Sequence, residues 1–291
     1  MIRIGTAPDS WGVWFPKDDR QPPWQRCLDE MSEAGYAGVE LGPWGYLPND
    51  YKTLSVELEK RSLELVAGTT FCNYIDDSSV DAMCVKIKEM ANLLLRFPSA
   101  KYIVMIQEMF TDEKTGNDTM PRSLTPEQQS RLYKNIRRTN DFVKKAGLVP
   151  TIHPHVQCYI ETEEQIENVL KNTDAMLCFD TGHHVYSGGE PVAFYKKHRE
   201  RIPFLHIKEC DMKIVEQARA GKWPFAKAVI EGAMCEPGSG GIDFKDLFDF
   251  MERTGYDGWV VVEQDMYPLS DFNKPLEIAA RTRKYLKGLG L

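Results

Sequence analysis

Eight times along this chain of 291 residues, a short run of apolar and β-branched residues is followed by a stretch of helical periodicity. Strands buried on both faces read as continuous apolar runs, so the pattern predicts a parallel sheet covered by helices. The strand runs lie at 3–8, 38–43, 63–71, 102–107, 149–155, 175–183, 203–209 and 258–265. The helical stretches lie at 23–35, 51–62, 80–97, 125–147, 162–173, 191–202, 242–255 and 275–289. Thr125 and Thr162 precede acids in a first turn and predict N-caps, and Gly35, Gly147 and Gly255 stand just past helix ends. Eight such units predict an α/β, (β/α)8 TIM barrel as one domain over 1–291. An open doubly wound sheet is the alternative, but no GxGxxG follows the first strand. The longest departure is 210–241, read as one helix over 215–232 and a turn, EPGSGG, over 236–241. Long loops in a barrel commonly build the active site.

Composition excludes several classes. A net charge of −7 with no basic cluster argues against a nucleic-acid partner. No apolar run reaches the ~18 to 20 residues of a membrane span, and MIRIGTAPDS lacks the design of a secretion signal. The seven cysteines are scattered, odd in number and without a CxxC pair, which predicts reduced thiols and a cytoplasmic location.

Of six histidines, five fall at the C-terminal ends of predicted strands: His153 and His155, then His183 and His184, then His206. His198 sits in a helix among basic residues and is expected to be solvated. Barrel active sites form at that C-terminal mouth. Asp180, Glu108 and Glu263 accompany the histidines there. Singly, each has an ordinary role: a strand-end histidine as a bonded core residue, Asp180 as a cap, Glu263 as a lysine's partner. Together, strands five to eight each bring an imidazole or carboxylate to one rim. Burying so many polar groups without a shared partner is costly, and a divalent metal removes the cost by accepting several lone pairs.

DTGHHVYSGGEP, FLHIKECDMKIVEQ, AKAVIEGAMCEPGSGGIDF and GYDGWVVVEQD resemble the xylose-isomerase-like (sugar phosphate isomerase/epimerase) TIM barrels, the inosose dehydratases in particular. The likeness runs from GTAPDSWGVW to near the C-terminus and is densest after residue 149. It implies one divalent ion, manganese foremost, with cobalt, magnesium, zinc or iron as alternatives. By position, Asp180, His206 and Glu263 match three of the family's ligands. His153 stands where the epimerases carry a glutamate, which counts against symmetric two-base epimerisation. The run EQDMYPLSDF after Glu263 also departs from the dehydratase pattern.

The resemblance implies a lyase acting on a cyclic keto-polyol by α-proton removal, a metal-stabilised enediolate and β-elimination. His153 is the candidate fourth metal ligand, and His155, which shares its strand face, is the candidate base, with an ordinary pKa near ~6.5 suited to neutral pH. The open alternatives are that both histidines are ligands, or that His153 orients His155. His183 and Glu263 are candidate acids. Lys208, on the same face as His206, is a candidate for holding an oxyanion or hydroxyl, or else forms a barrel-mouth salt bridge. Glu108 and Gln107 are candidates for binding polyol hydroxyls. Trp11, Trp14 and Trp44, after strands one and two, are candidates for walling the pocket, or are loop packing. The rival readings are the catalytic subunit of a 3-keto C-glycoside deglycosidase, with a small β-rich partner, and a keto-sugar epimerase or isomerase. The expected partner is a small-molecule keto-polyol or keto-sugar, with a homo-oligomer as a further expectation.

Overall fold

The computed structural model describes residues 1–112 and 115–291. Eight parallel strands form the wall: β1 (Ile2–Thr6), β2 (Gly38–Glu40), β3 (Glu64–Cys72), β4 (Tyr102–Gln107), β5 (Val149–His153), β6 (Cys178–Asp180), β7 (Phe204–Ile207) and, after the small pair β8 (Glu209–Cys210) and β9 (Met234–Cys235), β10 (Gly258–Val262). Their order is β5-β4-β3-β2-β1-β10-β7-β6. A parallel bridge from Ile152 to Leu177 joins the two ends, so the barrel is nearly closed.

Helices α1 (Trp24–Glu33), α2 (Tyr51–Glu59), α3 (Asp77–Leu94), α4 (Pro126–Lys145), α5 (Glu163–Asn172), α6 (Thr181–Tyr186), α7 (Pro191–His198), α8 (Met212–Ala220), α9 (Phe225–Ile230), α10 (Phe244–Arg253) and α11 (Lys274–Gly288) complete the chain. Thr125 and Thr162 form reciprocal capping boxes with Gln128 and Gln165. Gly35, Gly147 and Gly255 have φ of 89°, 89° and 75°, the left-handed conformation expected past a helix end. No helix among the described residues is long and apolar enough to cross a membrane.

The main core lies between strands and helices, around residues such as Leu28, Met31, Ile87, Met90, Ile136 and Leu247. A smaller cluster, including Val104, Ile106, Cys178, Phe204, Trp259 and Val261, packs as a separate core. Tyr102 stacks on Phe204 at 4.6 Å between centroids. Gly38 is required there: a Cβ would stand 2.6 Å from the Trp259 ring. Apolar packing low in the barrel leaves its C-terminal mouth to polar side chains.

Several element boundaries differ from the sequence reading, and three of the differences have a visible cause. The strand expected over 175–183 is confined to Cys178–Asp180, because the Asp180 side chain caps the helix that starts at Thr181. The strand expected over 203–209 ends at Ile207, and Glu209–Cys210 pairs antiparallel with Met234–Cys235. The helix expected over 215–232 is two helices, α8 and α9, broken at Gly221 to Pro224, where Pro224 begins the second. The buried Glu209 carboxylate accepts the Gly238 N–H at 2.6 Å and the Ile242 N–H at 2.7 Å, which fixes the 236–241 turn.

Candidate metal centre and active-site cavity

Side chains two apart on a strand share a face, and at the barrel mouth this rule assembles the site. His153, Asp180, His206 and Glu263 come from β5, β6, β7 and the end of β10. All four are buried, and one ligand atom from each lies within 4.8 Å of the others. Donors about 2.1 Å from one ion stand roughly 3 to 4.2 Å apart, so the quartet has the size of a coordination shell. Asp180 divides its oxygens. Oδ1 accepts the His183 N–H at 2.8 Å, while Oδ2 is buried without a hydrogen-bond partner among the described residues. Asp180 is therefore both the helix cap and a potential ligand.

His206 shows the fit most directly. Its Nε2 lies 2.7 Å from Glu40 Oε1, and a carboxylate only accepts, so Nε2 carries the proton. In the neutral ring that a metal requires, the lone pair is then on Nδ1, which stands 2.9 Å from Glu263 Oε2 and 3.9 Å from Asp180 Oδ2 yet makes no hydrogen bond among the described residues. Three electron-rich atoms facing one point are what a cation resolves. His153 Nε2 adds a fourth, 3.6 Å from Asp180 Oδ2. Glu40 itself is held by Thr69, whose hydroxyl donates to its Oε2 at 2.9 Å.

Lys208 is buried beside the quartet. Its Nζ lies 2.8 Å from Asp265, 3.2 Å from Glu263, 3.6 Å from Asp180 and 3.7 Å from Asp9. Burial opposes its charge, but Asp265, Asp180 and Glu263 outweigh burial and keep it protonated. Glu263 is likewise opposed by burial, yet His206 and Lys208 hold it below the usual carboxylate range. An ionised Glu263 is suited to be a ligand, and the expectation that it donates a proton is set aside. Burial and the Glu263 charge raise Asp9 well above its ordinary value. Burial also raises Asp265, against the lowering effect of the Lys208 charge and hydrogen bond. Four carboxylates thus share one lysine, an imbalance that favours a further cation.

His155 and His183 stand beside this group with ring centroids 3.9 Å apart. His155 Nδ1 is 2.8 Å from the Val156 carbonyl, which only accepts, so Nδ1 carries the proton and Nε2 holds the lone pair. Burial, then the His153 charge, pushes its pKa down to about 3. Burial and His155 likewise take His183 well below its ordinary value. The expected titration near neutrality is therefore corrected: both rings are neutral at physiological pH. Phe225 packs against both, 5.3 Å from His155 and 5.5 Å from His183, and stacks on Trp14 at 6.1 Å. Gln157, with φ of 56°, sets this roof. Its Oε1 accepts the Phe225 N–H at 3.1 Å and the Thr111 hydroxyl at 2.7 Å, and its Nε2 donates to Trp223 O at 3.0 Å. Below the roof is a cavity of about 550 Å³.

The sequence-predicted residues divide. His153, His155, His183, His206, Lys208, Glu263, Trp14, Gln107 and Glu108 line the cavity, and Asp180 stands beside it in the quartet. Trp11 does not line it: its ring is fully buried and Nε1 donates to Glu30 at 2.8 Å. Trp44 packs against the main core. Gln107 reaches the wall, but its amide is engaged, accepting the Tyr74 N–H at 2.8 Å and donating to Glu108 O at 3.0 Å. His184 turns away to Glu163 at 2.9 Å, so the mouth holds four histidines. His198 is half-buried and bonded to Glu167 at 2.8 Å rather than solvated. Glu40, Asp9, Asp265 and Phe225 went unrecognised. Asp265 was within reach of the two-residue rule already applied to Lys208.

The description of the xylose isomerase-like TIM barrel family matches residues 28–289. An inosose dehydratase of Lacticaseibacillus casei is 28% identical over 295 residues, covering 98% of this chain and 96% of that protein. The rhizopine catabolism protein MocC of Rhizobium meliloti is 32% identical, covering 92% and 82% respectively. Among solved structures, the probable 3-DHS dehydratase AsbF of Bacillus anthracis shares the fold, with a TM-score of 0.72 at 15% identity over 99% of both chains.

Proposed function

This chain belongs to the xylose isomerase-like TIM barrel family, and from that premise we propose that it is a carbon–oxygen lyase dehydrating a cyclic keto-polyol of the inosose type. The relatives named inosose dehydratase, similar over nearly the full length, support the substrate class. The observation that carries the chemistry is the buried quartet His153, Asp180, His206 and Glu263 with two neutral imidazoles beside it.

Those four residues would hold one divalent ion, manganese foremost, and when bound it supplies Lewis-acid polarisation of a carbonyl. His155 is the base. Its Nδ1 is tied to the Val156 carbonyl, so Nε2 is the atom that accepts the α-proton. With a pKa of about 3 the ring is unprotonated before reaction, and once protonated it is a strong acid that readily passes the proton on. His183, whose ring neighbours it at 3.9 Å, is placed to relay that proton to the departing β-hydroxyl. Lys208 stays cationic beside Asp265 and steadies developing negative charge on oxygen. Asp9 and Glu108 line the cavity as hydroxyl-binding groups. Trp14 and Phe225 cover the histidines and exclude water.

The test is incubation of metal-loaded protein with an inosose in deuterated water. Appearance of the unsaturated dione by ultraviolet absorbance, with loss of water, is the expected result. Deuterium incorporation without that loss assigns an epimerase instead, and neither signal refutes both.

A further inference from the structure

A soft ligand stands in the apolar core just below the quartet. Cys178 is fully buried and belongs to the cluster of Val104, Phe204 and Trp259. It precedes Asp180 by two residues on β6, so both side chains share the inward face and the thiol lies one layer deeper. The parallel bridge between Ile152 and Leu177 sets the next residues, His153 and Cys178, side by side on neighbouring strands. One ligand atom from each of His153, Cys178 and His206 lies within 4.8 Å of the others, the same span as the quartet.

The two imidazoles make this trio more than core packing. His153 is 2% exposed, and its Nδ1 has no hydrogen-bond partner among the described residues. Leaving such an atom unsatisfied costs about 1 to 3 kcal/mol, which an ion recovers. The other nitrogen, Nε2, is the one that lies 3.6 Å from Asp180 Oδ2, so the ring keeps one nitrogen for the quartet and one uncommitted. His206 gives its Nε2 proton to Glu40, and a neutral imidazole has one lone pair. It can therefore serve one ion at a time. The donor sets also differ. Two imidazoles with two carboxylates accommodate a hard cation, whereas two imidazoles with a thiolate select a softer one.

We propose that Cys178, His153 and His206 form a second metal position one layer below the quartet, that it takes a thiophilic divalent cation of the zinc and cadmium class, and that the two positions are filled as alternatives. Binding replaces the Cys178 thiol proton, which leaves to solvent, and forms a metal–sulfur bond without change of oxidation state. An ion in the lower position withdraws two ligands from the upper one. A thiophilic cation thus displaces manganese and silences the mouth, whatever reaction the quartet serves.

The experiment uses the full-length protein with Mn²⁺, Cd²⁺ and Zn²⁺ as probes. Protein loaded with Mn²⁺ should release it as Cd²⁺ is added, read by the paramagnetic resonance of the free ion, while a thiolate-to-cadmium absorption band grows. Cys178→Ala and Cys178→Ser should each abolish the band and weaken Cd²⁺ binding about tenfold or more. Their Mn²⁺ affinity should stay within about threefold of wild type, which also reports that they fold. X-ray absorption at the zinc edge gives a readout without a variant: wild type with an equimolar load of Zn²⁺ should show a sulfur neighbour at about 2.3 Å. Release of Mn²⁺ without the band, a band that survives in either variant, Mn²⁺ and Cd²⁺ bound together, or a zinc shell of nitrogen and oxygen alone overturns the proposal. Should both variants lose Mn²⁺ binding, the zinc shell of the wild type decides alone.

Discussion

Glu40 touches no proposed reacting atom, yet removing its charge should weaken metal binding. Its Oε1 receives the His206 Nε2–H at 2.7 Å with both side chains buried, which fixes the tautomer that leaves Nδ1 facing Glu263 and Asp180. A hydrogen bond to a charged group contributes about 1.5 to 3 kcal/mol and a neutral one about 0.5 to 1.5. Glu40→Gln should therefore cost about 1 to 1.5 kcal/mol, or roughly tenfold in Kd for Mn²⁺. Glu40→Ala, which strands the ring N–H, should cost up to about a hundredfold. Proton competition sharpens the test. Burial opposes charge on His206, but Cys178, Glu263 and Glu40 outweigh it and raise its pKa well above the ordinary value. Below that raised pKa the incoming ion displaces the His206 proton, so affinity rises with pH by about one proton per ion. Glu40→Gln removes one of the groups raising the pKa and so weakens the proton's competition. The deficit should be full at high pH and shrink as pH falls. Calorimetric Mn²⁺ titrations from pH 6 to 8.5 decide the matter. A Kd within about twofold of wild type across the range refutes the assignment of His206 as a ligand oriented by Glu40.

Further outcomes follow from the same geometry. His155→Asn should lower kcat by about 10² to 10⁴ while Mn²⁺ affinity stays within about threefold, read by steady-state kinetics and titration; equal losses in both would make His155 a ligand. The same variant reports on acid stability. A histidine with folded pKa near 3 and unfolded pKa near ~6.5 leaves only the unfolded state protonated between those values, so stability falls as pH drops through that window, by up to about 1.4 kcal/mol per pH unit. Urea melts of metal-free His155→Asn between pH 7 and 5 should be flatter than wild type by about one proton. Gly182→Ala should destabilise by about 1 to 3 kcal/mol, because its Cβ would meet Lys208 Cγ at 2.6 Å and Cβ at 2.7 Å. An unchanged denaturation midpoint for that variant would refute the tight packing of α6 against Lys208.

Periodicity made the barrel legible because each strand is buried on both faces and leaves a continuous apolar run, as YIVMIQ does in β4. The boundaries it misread are those where a side chain does two jobs. Asp180 ends β6 by capping α6 while keeping its second oxygen for the quartet, and no run of residue types reveals such a division. In the site, residues whose chemistry is carried by their own strand were visible: His153 with His155, His206 with Lys208. Asp265 follows Glu263 by the same spacing, so the rule that pairs His206 with Lys208 reaches it as well. Glu40 is another matter. It sits at the end of GVE, a strand of three residues, and its partner His206 lies across the barrel, separated in the sheet order by β1 and β10. That contact exists only because the sheet curls until β2 faces β7. Strand spacing along the chain predicts what shares a face, but what meets across the lumen depends on closure. The tautomer of His206, and with it the direction of its lone pair, is therefore a property of the closed barrel and not of any segment within it.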